Sequence, residues 1–190
     1  MSRSRRDPLR ELSRKFPGLH ESWQTLISQH DRAAGIVGVA LLEASLERLL
    51  VKKLPNLSPA LEGRLFKNRG PLSDFDSKIL IATALDFIPD NAATLFNSLR
   101  AVRNVFGHSM VDVSFETKEI IDEVKRYILP FSQQAIKWIS QEDEQPAGPN
   151  EKPPDTKTAF LVSTLFVLCI LDGFDEDFDI KQVFSEIASF

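Results

Sequence analysis

The sequence predicts an all-α helical bundle. Apolar residues recur at spacings of three and four along most of the 190-residue chain, and strict alternation of apolar and polar residues is almost absent. Hydrophobic residues make up 43 % of the chain and charged residues 26 %, which is ordinary globular composition. At this length a substantial core can be buried. We expect four to five helices in the bundle and a C-terminal helical appendage.

The first two helices are predicted from apolar spacing. A short segment lies around residues 19–30, and a long helix over residues 33–54 ends before Pro55. The long helix is apolar over more than half of its circumference, which is typical of a central helix. Gly35 and Gly38 lie one turn apart in it. Because each glycine costs about 1 kcal/mol of helix propensity, we expect another helix to approach closely there.

The next helices carry recognisable starting signals. Ser73, followed three residues later by Asp76, is a capping-box pattern that starts a helix running to about residue 85. Asp90 is the expected N-cap of the following helix, whose buried face is predicted to hold Leu95, Leu99, Val102 and Phe106. A further helix covers about residues 116–140, and Pro130 should kink it.

Shifts in composition predict the domain boundaries. Residues 1–18 form a basic tail, residues 19–140 the bundle and residues 141–157 a polar, proline-rich linker. Residues 158–190 hold an apolar helix and an acidic tail. The uncharged run at 158–171 has 14 residues, whereas a membrane span needs roughly 20, so a buried helix is favoured over an anchor.

Charge and cysteine content bound the partners and the compartment. Residues 1–15 carry a local charge of +4, which leaves −8 on the rest of a chain whose net charge is −4. The tail could contact nucleic acid, but a solvated, frayed terminus is favoured, and an acidic protein is not built as a general DNA binder. The single cysteine, Cys169, fits a reducing cytoplasm.

Several kinds of site are unsupported by any motif. No phosphate-binding glycine loop and no nucleophile elbow is present, and the three histidines are scattered along the chain. We expect no metal and no cofactor. An acidic loop places Asp175, Asp177, Asp179 and Glu186 at the spacing of calcium ligands. Ile180 stands where the sharp turn of such a loop requires glycine, so a solvated loop is favoured.

The stretch L-R-A-V-R-N-V-F-G-H-S, residues 99–109, offers the most specific candidate site. On a helix, Arg100, Asn104 and His108 stack one turn apart, with Arg103 beside them. These residue types can bind a phosphate group or transfer a proton.

The bland interpretation of the same stretch is a well-capped helix end. Gly107 can terminate the helix and leave His108 just past its last turn, near the carbonyl end of the helix dipole. Arg103 would then pair with an acid such as Asp86 or Glu43. The residues alone favour this interpretation.

The stretch R-N-x-x-x-H at a helix end resembles the signature of the HEPN superfamily of helical bundles. The block G-P-L-S-x-F-x-x-K, residues 70–78, lies about 30 residues upstream and narrows the resemblance to the mannitol operon repressor family. The resemblance covers roughly residues 20–140. It implies a HEPN-like fold, a homodimer and a transcriptional regulator. Since no helix-turn-helix is apparent, regulation would run through another protein.

The same resemblance carries an alternative function, because some HEPN proteins are metal-independent endoribonucleases. In that case His108 would act as general base or acid, with Arg103 stabilising charge on the reacting phosphate and Asn104 orienting it. The RNA backbone would be bound by further basic residues, namely Arg64, Lys67, Arg69 and Arg100.

Overall fold

The computed structural model describes residues 20–67, 69–141, 153–172 and 180–188. In these ranges the chain consists of helices and loops with no β-strand, which confirms the all-α prediction. The predicted basic tail, most of the proline-rich linker and the acidic residues 175–179 lie outside the described residues.

The helices follow one another in a simple order. They are α1 (His20–Ser28), α2 (Asp31–Lys53), α3 (Pro59–Phe66), α4 (Phe75–Ala84), α5 (Asp90–His108), α6 (Lys118–Glu123), a π-helical turn (Val124–Ile128), α7 (Leu129–Gln141), α8 (Thr156–Asp172) and α9 (Ile180–Ala188).

Helix α2 is the centre of the bundle, as its apolar circumference predicts. It packs against α1, α4, α5 and α8, and four of its five leucines (Leu42, Leu46, Leu49 and Leu50) are buried. Both predicted close approaches are present. The Cβ of an alanine at Gly35 would lie 2.3 Å from Cδ2 of Phe106, and that of an alanine at Gly38 would lie 3.3 Å from Cγ2 of Thr164. The two glycines therefore admit α5 and α8 to the surface of α2.

Helix α8 belongs to the same core as the preceding helices. Every residue from Ala159 to Ile170 is buried, and the helix packs against α2, α7 and the π-helical turn of its own chain. Its C-terminal residue, Asp172, pairs with Arg48 of α2 at 2.6 Å. Among the described residues, no helix combines the length and the apolarity that a membrane span requires.

Two helix starts differ from the predicted ones. Helix α4 is capped by Asp74 rather than Ser73, because the Asp74 Oδ1 accepts from the Ser77 backbone N–H at 2.9 Å. The hydrogen bond from that N–H is the main reason that the pKa of Asp74 is lowered. Asp90 is the first residue of α5, and Pro89 holds the N-cap position without a side-chain hydrogen bond. The predicted caps at Ser73 and Asp90 are therefore each wrong by one residue.

Helix α4 is tied to α2 by a buried lysine. Lys78 is only 3 % exposed, and its Nζ lies 2.8 Å from Oε1 of Glu43 and 2.9 Å from Oε2 of Glu47. Burial lowers the pKa of Lys78, but the hydrogen bonds and charges of the two carboxylates outweigh it and leave the pKa raised. Lys78 is therefore charged at neutral pH, and it compensates two acids on α2.

The long helix predicted over residues 116–140 is interrupted next to Pro130. Proline has no backbone N–H to donate to the carbonyl four residues earlier, so regular α-helical bonding fails there. The chain instead forms the π-helical turn Val124–Ile128, in which the N–H of Leu129 donates to the carbonyl of Val124. Arg126 and Tyr127, on the outer side of this turn, are exposed.

The contact between Gly35 and Phe106 makes a direct prediction. We expect Gly35→Ala to lower the free energy of unfolding by about 1–3 kcal/mol, because the new methyl group would overlap a buried ring. Gly63→Ala is the matched control, since a Cβ there meets nothing within 4 Å and alanine is the better helix former. Urea denaturation of both variants measures the difference, and equal effects would contradict the packing role of Gly35.

Candidate functional site

The candidate residues of α5 occupy its last turns, on the part of the helix that leaves the bundle core. Leu99, Val102 and Phe106 are buried as predicted, whereas Arg103 and Asn104 are half-buried and His108 is exposed. Because they belong to one helix, its regular turn holds the polar residues in a fixed order on the face away from the core.

Arg100 is already paired within the chain. Its Nη2 lies 2.7 Å from Oδ1 of Asp76 on α4, and both side chains are substantially accessible to water. An exposed pair of this kind contributes little stability. The ion pair nevertheless engages the guanidinium that would bind the RNA backbone under the ribonuclease alternative.

Arg103 makes a different contact from the one expected of a capped helix end. Its Nη1 donates to Oδ1 of Asn104 at 3.2 Å. Glu43 pairs with Lys78, and Asp86 pairs with Lys181, so in the described part of the chain neither acid is the partner of Arg103. The predicted pairing of Arg103 with Asp86 or Glu43 is therefore wrong.

The end of α5 also differs from the prediction. His108 is the last residue of the helix, Ser109 is the C-cap, and its N–H donates to the carbonyl of Val105 at 3.2 Å. None of the described glycines has a positive φ, so Gly107 is an ordinary helical residue and the prediction that it terminates the helix is wrong.

A side chain of α2 terminates α5. Nη2 of Arg32 donates to the carbonyl of Ser109 at 2.7 Å and to that of Val111 at 2.9 Å. We call this pair of bonds the Arg32 clamp. Because both acceptors are main-chain oxygens just past the helix, the clamp holds the residues that follow α5 in an extended turn. No glycine at the C-terminus of the helix is needed to form this turn.

The neighbouring residue, Asp31, fixes the next part of the same segment. Its Oδ2 accepts from the N–H of Phe115 at 3.0 Å, and its Oδ1 pairs with Nζ of Lys157 at 2.9 Å. Burial raises the pKa of Asp31, but the hydrogen bonds from Lys157 and Phe115 outweigh it, and the pKa is lowered. Asp31 is therefore ionised at neutral pH, and it joins the 109–117 segment to α8.

The clamped turn displays two large apolar side chains that the sequence analysis overlooked. Met110 is fully exposed, and Val111 is 69 % exposed. A methionine and a valine in a short loop between two helices are the signal that could have drawn attention to them. We call Arg103, Asn104, His108, Met110 and Val111 together the α5-end surface.

The other basic candidates lie elsewhere. Arg64 is on α3, and Lys67 and Arg69 are in the loop that follows; all three are exposed. Within the described ranges no hydrogen bond or ion pair joins them to the end of α5. The structure therefore brings together Arg103, Asn104 and His108, but it does not connect them with the three basic residues.

The remaining reactive groups form no second centre in the part of the chain that the structure describes. No group of three or more metal-binding side chains is found in these ranges. Burial raises the pKa of Cys169 to about 12, so this thiol is protonated and unreactive at neutral pH. Glu186, the last residue of the calcium-like pattern, accepts hydrogen bonds from Trp138 and Gln182.

Comparisons with family models, with curated proteins and with solved structures found no match to this chain. The resemblance to the mannitol operon repressor family therefore stays a prediction that rests on residues 70–78 and 99–109.

The helical conformation of Gly107 can be tested by substitution. We expect Gly107→Ala to leave the free energy of unfolding unchanged or to raise it by up to about 1 kcal/mol, since a Cβ meets nothing within 4 Å and alanine is the better helix former. Chemical denaturation gives the value. A loss of about 1 kcal/mol or more would show that Gly107 adopts the left-handed conformation of a terminating residue.

Proposed function

We propose that this protein is a non-enzymatic transcriptional regulator of the mannitol operon repressor type, which acts by binding another protein through the α5-end surface. The observation that carries the proposal is the exposure of Met110 and Val111 on a turn held by the Arg32 clamp. The family resemblance supplies the regulatory role, a homodimeric state and a cytoplasmic location.

The energetics of the turn favour a protein partner. Moving a methionine or valine side chain out of water contributes about 1.5–3 kcal/mol, so both side chains are unfavourably placed in the isolated chain. Methionine also adapts its shape to irregular apolar surfaces. Because the Arg32 clamp already orders the turn, less conformational entropy is lost on binding than with a mobile loop.

Charge argues against direct reading of an operator by the body of the protein. The chain carries a net charge of −4, whereas binding to DNA depends on neutralising phosphates with clustered cations. Arg100 is paired with Asp76, which leaves Arg103 as the basic residue of the α5-end surface. A partner that offers an apolar pocket for Met110 fits this surface better than a phosphate backbone does.

The proposal predicts a localised loss of binding. We expect Met110→Glu to weaken the complex with the partner about tenfold or more, because a charge would enter an apolar contact. Leu80→Glu is the matched control, since Leu80 is 70 % exposed on α4, away from the turn. A protein captured from cell lysate by wild type is purified, and its affinity for wild type, Leu80→Glu and Met110→Glu is measured by calorimetry.

A partner that binds Met110→Glu as tightly as wild type would overturn the proposed surface. Sedimentation equilibrium on the same variants distinguishes a second copy of this chain from a different protein. If Met110→Glu converts a dimer into a monomer, the surface is the homodimer interface.

A second candidate function is a metal-independent endoribonuclease. The observation that favours it is that Asn104 and His108 lie one turn apart on α5, with Arg103 hydrogen-bonded to Asn104. An imidazole and a guanidinium on the same helix end offer the groups needed to transfer a proton and to stabilise a phosphate.

The ribonuclease candidate predicts cleavage that does not need a divalent metal. Wild type should cleave mixed RNA in the presence of a chelator, and His108→Ala should reduce the rate at least about a hundredfold, because the proton-transferring group is lost. Gel electrophoresis of the RNA gives the rate. Cleavage by both proteins or by neither would exclude a catalytic role for His108.

A further inference from the structure

A groove lies beside the first half of α5, toward the opposite end of this helix from the α5-end surface. It is bounded by the first half of α5, the π-helical turn, α7 and α9, and it encloses about 250 Å³. Its floor is apolar and is formed by Leu95, Phe131, Phe184 and Ile187. Three of these side chains are buried, and Phe131 also contacts the ring of Phe184 at a centroid distance of 5.8 Å.

A cation stands at the rim of this groove. Arg126 and Tyr127 both line it, and the Arg126 guanidinium carbon lies 5.3 Å from the centroid of the Tyr127 ring. Stacking on an aromatic ring holds the guanidinium in place while leaving its N–H donors available. No carboxylate in the described ranges pairs with Arg126. Glu186, on the adjoining α9, instead accepts from Trp138 and Gln182.

The π-helical turn produces this arrangement. Pro130 lacks the N–H that would bond to the carbonyl of Arg126, and the chain responds with the wider turn that presents Arg126 and Tyr127 side by side. Single π-helical turns inside longer helices are frequent at functional sites. Here the turn holds a cation that pairs with no carboxylate of the described residues, beside an aromatic ring at the mouth of an apolar groove.

We propose that this groove binds a small monocarboxylate with an apolar body. The carboxylate would accept from the Arg126 guanidinium, and the apolar body would cover the floor formed by Leu95 and Phe131. The volume fits a ligand on the order of ten non-hydrogen atoms, since one water takes up about 30 Å³ of liquid. Fatty acids of medium chain length and planar aromatic acids share this chemistry. The inference does not depend on the proposed function.

The composition of the chain supplies a specific reporter for the test. Tyr127 is the only tyrosine in the sequence, so protein labelled with ring-¹³C tyrosine gives the NMR signals of that ring alone. Octanoate, 2-naphthoate and the uncharged octanol are titrated separately. We expect a saturable shift of the Tyr127 signals with the acids in roughly the millimolar range, and weaker binding of octanol. The acid that binds more tightly shows whether the groove prefers aliphatic or aromatic carboxylates.

Three variants locate the site. Arg126→Gln should weaken the binding of the acids by about twofold to fivefold and leave octanol unchanged, because an ion pair with an exposed arginine contributes little free energy. Thr94→Trp fills the groove from its rim and should abolish binding of all three probes. Lys137→Gln, which removes an exposed cation on α7 that does not line the groove, should change nothing.

Each contrary result overturns the proposal. If neither acid gives a saturable shift, the groove is not a binding site for these molecules. If Arg126→Gln weakens the binding of the acids and of octanol equally, or Lys137→Gln has the same effect as Arg126→Gln, no carboxylate is recognised by Arg126.

Discussion

The contact between Gly35 and the ring of Phe106 is the constraint on which the rest of the bundle depends. It brings the end of α5 against the first turns of α2 more closely than any side chain at residue 35 would permit. From there the aromatic contacts continue, because Phe106 meets Phe115 at 5.0 Å and Phe115 meets Phe160 of α8 at 5.1 Å. One missing Cβ atom thus allows three helices to share a single aromatic core.

The close packing of α2 against α5 also determines which contacts the polar groups at this end of the bundle make. Asp31 and Arg32 lie in the first turn of α2, four and three residues before Gly35, and both side chains reach the segment that follows α5. In the second half of α2, Glu43 and Glu47 contact Lys78, and Arg48 contacts Asp172. Helix α2 therefore organises its neighbours through apolar contacts along its length and through charged contacts in its first turn and its second half.

Much of the fold was predictable because it depends on periodicity. The extent of α2 and the buried face of α5 follow from spacings of three and four, and such patterns are robust to small errors. The helix ends were not predictable to the residue. Ser73 and Asp74 are both good caps, and only the position of Ser77 decides between them. At Gly107 the sequence indicates a terminator, but a guanidinium from a residue 77 positions away ends the helix instead.

The candidate sites were also predictable to different degrees, because only local, periodic patterns can be read from a sequence. Arg103, Asn104 and His108 belong to one helix, so their proximity follows from its geometry alone. The groove beside Arg126 draws on α5, the π-helical turn, α7 and α9, and no local pattern joins segments so distant in the chain. Met110 and Val111 show no periodicity at all. Their turn is held in place by hydrogen bonds from Arg32, which belongs to α2, and the sequence of the loop gives no sign of this.

The Arg32 clamp bonds only to main-chain oxygens, and this has a consequence for how the protein can change. Side chains at residues 110 and 111 can be exchanged without removing either hydrogen bond. The conformation of the turn therefore does not depend on which side chains it displays. Two positions can then vary while the scaffold that presents them stays constant. Substitutions at these two residues therefore change the exposed surface of the turn with little effect on the stability of the bundle.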